Sequence, residues 1–84
     1  MNNGPFVTLI APAPADLVEG RAYFLRPAGL KPPILMDDYL LVSYRDIRFE
    51  DGNGKRFMFH DDEGTIHLLK SEEIAPRILA VENT

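Results

Sequence analysis

The chain has 84 residues, enough for one hydrophobic core and too few for two, which would need roughly 100 or more. Its 45% hydrophobic and 26% charged residues are ordinary globular composition and argue against disorder, and the absence of cysteine excludes disulfides, thiolate metal sites and thiol catalysis. A net charge of −4 opposes a nucleic-acid backbone as partner. Six of the seven prolines lie in residues 1–33, a proline-rich N-terminal portion that precedes a β-meander core over 39–81. Charge is uneven as well, net +1 over residues 1–36 and −5 over 37–84.

In chain order, Phe6 to Ile10 has strand composition. Ala11-Pro12-Ala13-Pro14-Ala15 then favours extended or polyproline backbone, because each proline fixes φ and biases its predecessor away from helix. Asp16 to Gly20 reads as a turn or a single helical turn, Ala22 to Arg26 as a strand, and Pro27 to Pro33 as a loop containing Gly29. Tyr39 to Tyr44 is aromatic and β-branched enough for another strand.

The readable part follows. Arg45 to Asp51 and Lys55 to His60 each alternate polar and apolar residues, and Gly52-Asn53-Gly54 joins them as a three-residue hairpin loop. That loop predicts Asp51 opposite Lys55, Glu50 opposite Arg56 and Phe49 opposite Phe57, so that opposite charges meet on one face and apolar groups on the other. A second turn at Asp61-Asp62-Glu63-Gly64 predicts His60 opposite Thr65, Phe59 opposite Ile66 and Phe57 opposite Leu68. Three strands over 45–51, 55–60 and 65–70 would then point Ile47, Phe49, Phe57, Phe59, Ile66 and Leu68 inward. Ser71 to Pro76 reads as one helical turn near 71–75, capped by Ser71 and shortened by Pro76. Arg77 to Val81 reads as a final strand, with a short helix running to Leu79 as the alternative.

The expected fold is a mainly β single domain over residues 1–84, a small SH3-like barrel or a strongly bent antiparallel sheet with one short helical turn near the C-terminus. The order of elements resembles SH3-like small barrels in layout only; there is no tryptophan to line a peptide groove.

Chemistry-bearing clusters are few. His60 and His67 flank the second turn, and the predicted register sets Asp46 opposite His60; two imidazoles and a carboxylate suit zinc or iron, although turns favour Asp and Gly for backbone reasons alone. No serine or threonine has a recognisable activating base, so no enzymatic activity and no cofactor are expected. Gly52-Asn53-Gly54-Lys55 lacks the helix a phosphate loop needs after it. Arg21, Arg26, Arg45 and Arg48 lie among aromatic residues and make an arginine–aromatic patch the alternative, nucleic-acid-associated reading; an acidic DNA-mimic would want a denser acidic array.

More telling is the surplus of apolar residues. Met36, Leu40, Leu41, Met58, Leu69, Leu79 and Val81 exceed what one inner face can take, and the predicted register turns Met58 and Leu69 outward, with Arg56 and Arg48 beside them. The sequence therefore predicts a non-enzymatic protein–protein interaction module, an adaptor, regulatory or assembly subunit. Its partner is another protein or a second copy of itself as a homodimer. No membrane span or secretory signal is read, which fits a cytoplasmic protein.

Overall fold

The computed structural model describes residues 8–50 and 54–82, and all of Glu50 except its side chain. Six antiparallel strands form one sheet: β1 (Leu9–Ile10), β2 (Ala22–Leu25), β3 (Leu40–Glu50), β4 (Gly54–Asp61), β5 (Ile66–Leu69) and β6 (Ile78–Val81). Among the described residues the single α-helix, α1 (Ser71–Arg77), lies between β5 and β6 in the chain, and 3₁₀ turns occupy Pro14–Asp16 and Met36–Asp38. Strand order is β1-β6-β2-β3-β4-β5, so the last strand sits between the first two and the sheet is bent and open rather than closed into a barrel.

Side chains of Tyr23, Leu25, Val42, Tyr44, Phe57, Phe59, Leu69, Ile78 and Ala80 fill one face, hereafter the inner face. Helix α1 covers that face by burying Ile74 against it and touches β4, β6 and the Pro14–Asp16 turn. The helix is short because Pro76 occupies its last turn. Glu73 holds its start by accepting the Lys70 N–H at 2.8 Å, and the Arg77 guanidinium ties its end both to Glu73, at 3.3 Å, and to the Arg26 carbonyl, at 3.0 Å. The strand reading of 77–81 is the one that forms, as β6.

Two irregularities decide which side chains point inward. A β-bulge at Arg45 places two residues of β3 opposite one of β4, between the Tyr44–Phe59 and Asp46–Met58 pairs. Tyr44 and Ile47, three apart, therefore share the inner face. At the β4–β5 turn, the Gly64 N–H bonds the Asp61 carbonyl, Gly64 has φ +83°, and the Asp61 N–H bonds the Thr65 carbonyl. This is a type I turn closed by a glycine bulge, which consumes one more residue than a plain turn.

That extra residue corrects the expected β4–β5 register by one. The observed pairs are His60–Ile66, Phe59–His67, Met58–Leu68 and Phe57–Leu69. Ile66 and Leu68 consequently face outward, while Leu69 enters the core. In the β3–β4 hairpin Phe57 pairs with Ile47, Arg56 with Arg48 and Lys55 with Phe49, two residues from the expected register. A two-residue slip preserves parity, so the faces survive. The expected Asp51–Lys55 and Glu50–Arg56 charge pairs therefore do not form, since Lys55 faces Phe49, Arg56 faces Arg48 and Glu50 faces Gly54; residues 51 to 53 lie outside the described residues, as do Phe6 and Val7 of the first predicted strand.

Ile47 and Phe49 occupy the inner face yet stay 37% and 77% exposed. The reason is reach. Beyond Asp46, β3 pairs only with β4, because β2 pairs up to Ser43 and β5 ends at the Leu69–Phe57 pair. The described end of the β3–β4 pair, up to Glu50–Gly54, is thus a two-stranded arm with neither face under α1.

Candidate functional site

The face opposite α1 is built from cross-strand rows. Leu79, Phe24 and Leu41 are successive partners across β6, β2 and β3. Ala22, Ser43, His60 and Ile66 form the next row across β2 to β5, and Asp46, Met58 and Leu68 the one after. Among the described residues no helix or strand packs over these rows. Leu41 is 54% exposed and Ile66 48%. Beside Leu41 the surface dips into an open depression of about 210 Å³ lined by Ala22, Leu41, Val42, Ser43, His60, Asp61 and Asp62.

The sequence carries a signal for this face that alternation alone misses. A-Y-F-L of β2, L-L-V of β3 and I-L-A-V of β6 are apolar at both parities, as strands packed on two sides are. Of the contact residues expected, Met58, Arg56 and Arg48 do share the outer face, whereas Leu69 does not, because the glycine bulge turns it into the core. Phe24, Leu41, Ile66 and Leu68 take its place.

The proposed metal set is not assembled. His60 and His67 belong to adjacent strands but opposite faces, since His60 pairs with Ile66 and His67 with Phe59. Asp46 pairs with Met58 rather than with His60, and its carboxylate accepts the Ile47 N–H at 2.7 Å. Among the described residues no group of three or more potential ligands is placed to hold an ion.

His67 has a structural partner instead. Its Nε2 lies 3.0 Å from Asp61 Oδ2, and as an ionised carboxylate only accepts, the ring N–H donates. The other oxygen of Asp61 accepts the N–H groups of Glu63 and Thr65, each at 2.9 Å. The His67 hydrogen bond is the main force holding the Asp61 carboxyl below the usual carboxylate range, with the two backbone bonds adding to it. The folded pKa is therefore below the unfolded one. Stabilisation from Asp61 is fully present above the unfolded value near 3.8 and is lost as pH falls through the lower folded value. Wild-type protein is expected to lose stability through that acidic window more steeply than Asp61→Asn, measured by urea midpoints between about pH 5 and pH 2. Parallel curves would remove the linkage.

Ser43 lies opposite His60, a nucleophile–imidazole juxtaposition on the outer face. Among the described residues no hydrogen bond joins them; His60 Nε2 is buried without a partner, and Asp61 is spent on His67 and the turn. A relay of nucleophile, base and orienting acid is thus not formed. Tyr44 is no stand-in base, since burial first, and then the charges of Asp46 and Glu19, hold its phenol above the ordinary range.

The arginines disperse. Arg21 donates to the Val81 carbonyl and lies 5.5 Å from the Tyr23 ring centroid, whereas Arg45 fills the bulge and Arg48 stands on the arm. Arg26 lies past the far end of β2, where its carbonyl receives Arg77.

No protein-family model, no curated protein and no solved structure matches this chain. Among the described residues no helix is long and apolar enough to cross a membrane. What the geometry defines is a small, mainly β fold with, among the described residues, one sheet face under a helix and one with no helix or strand over it.

Proposed function

We propose that the protein is a non-enzymatic protein-binding module, an adaptor, regulatory or assembly subunit, and that its contact surface is the outer face of the sheet. One observation carries this reading: the central strands are apolar on both faces, while a packed layer lies on one. Contiguous apolar surface of this kind on a small domain marks a place where another protein sits. The Leu79–Phe24–Leu41 row forms the anchor, the depression beside it admits a partner side chain, and Arg48, Arg56 and Asp46 form a polar rim at the arm.

Leu41→Glu tests it. Position 41 is 54% exposed, so the substitution is expected to change folding stability by no more than about 0.5 kcal/mol. An unpaired carboxylate forced into an apolar contact costs several kcal/mol, so affinity should fall at least ~100-fold. The measurement is quantitative capture of partners by wild-type and variant chains from the native lysate, with a thermal melt as the folding control. An unchanged partner set at unchanged occupancy would show that the outer face is not the contact surface.

A further inference from the structure

Strand β5 ends its side of the sheet and, among the described residues, pairs with β4 alone. Its four residues, Ile66–Leu69, include no Asp, Glu, Lys or Arg, no proline and no bulge, three of the devices that ordinarily keep an edge strand from pairing. The Asp61 N–H to Thr65 carbonyl bond, 3.0 Å long, fixes which backbone groups are used inside the sheet. Antiparallel ladders alternate, so His67 and Leu69 exchange bonds with β4, and Ile66 and Leu68 turn their N–H and C=O groups outward.

We propose that this edge pairs antiparallel with β5 of a second copy, with His67 opposite His67 on the two-fold axis and Ile66 opposite Leu68. Three features select that arrangement. It engages both outward-facing residues of each chain, so Ile66 and Leu68 of one copy exchange hydrogen bonds with Leu68 and Ile66 of the other. A register centred on Leu68 would instead set Ile66 opposite Lys70. Second, parity is kept, and the apolar outer faces of the two copies become continuous through Ile66 and Leu68. Third, charges match. The turn before β5 carries Asp62 and Glu63, and Lys70 follows the strand, so antiparallel pairing sets Lys70 opposite Gly64 of the other copy and beside its Glu63. The two-fold axis makes that contact twice.

This inference deepens the binding-module reading by naming one partner, a second copy, but uses the sheet edge and not the Leu41 row. The test is sedimentation of the full 84-residue chain from micromolar to millimolar concentration, where the expected species is twice the 9.5 kDa monomer. Leu68→Pro removes an outward N–H and leaves the β4 ladder intact, so it should return the chain to monomer with its fold retained. Should Leu68→Pro fail to fold, the exposed Lys70 and Glu63 decide. Lys70→Glu should weaken the dimer about tenfold or more by setting like charges together, and adding Glu63→Lys should restore it. A wild-type chain that stays monomeric, or a dimer indifferent to Lys70→Glu, overturns the proposal. Leu41→Glu separates the two ideas: loss of partner capture without a dimer sinks the edge pairing alone, and a dimer with capture unchanged sinks the outer-face surface alone.

Discussion

Phe59→Ala is expected to lower unfolding stability by about 3–5 kcal/mol, the range for a fully buried aromatic side chain. Phe59 is completely buried at the centre of β4, opposite Tyr44 on β3 and His67 on β5. Its ring meets Tyr44 at 5.3 Å between centroids and Tyr23 edge-on at 6.3 Å, so truncation opens a cavity under three strands at once. A domain of 84 residues has a total stability of roughly 4–13 kcal/mol. The loss is therefore about a quarter or more of the whole, and the melting temperature should fall by more than about 12 °C. Phe49→Ala is the control. Phe49 has the same chemistry and lies on the same face, but it is 77% exposed on the arm, and its truncation should cost no more than about 0.5 kcal/mol. Urea unfolding of the two variants measures the contrast, and equal losses would contradict the division between arm and body.

That contrast also shows what could be read before the structure. Parity was legible: Phe57 and Phe59 do share the inner face, because a strand's side chains alternate whatever its exact partner. Register was less so. D-D-E-G-T accommodates a plain turn or a glycine bulge, and the one-residue difference exchanges Leu69 for Leu68 in the core. The bulge at Arg45 is invisible to alternation, since Tyr44 and Ile47 on a regular strand would oppose each other. Exposure along the arm was illegible for another reason: Ile47 and Phe49 have core chemistry, and only the lengths of β2 and β5 decide that nothing reaches them. The metal triad failed with the same register, for His60 and His67 were placed on one face by a turn one residue too short. The outer face was half legible, as a surplus of apolar residues with no location. Apolar runs at both parities in β2, β3 and β6 locate it.

Ile74→Asp is expected to strip the helix from the sheet. Seven residues are too few for a helix to persist in water by itself, since isolated helices need about 12–15, and Pro76 removes one of its backbone donors. Helix α1 therefore depends on its attachment, and Ile74 is its one buried residue, wholly enclosed against the inner face. Losing an aliphatic anchor of this size costs about 2–5 kcal/mol, and a carboxylate buried without a partner costs at least as much. Glu73 and Arg77 cannot compensate, because their mutual pair and their bonds to Lys70 and Arg26 orient the helix ends without burying area. Both faces of the sheet would then stand open, so binding of a hydrophobic dye should rise as the near-ultraviolet circular dichroism of Tyr23 and Tyr44 collapses. Ala75→Asp, one position along and exposed, should change neither signal. Leu41→Glu should likewise leave both signals unchanged, because the carboxylate it adds lies on the face that α1 does not cover. A variant Ile74→Asp that keeps its tertiary signal and stays dye-free would mean that the inner core holds without its helix.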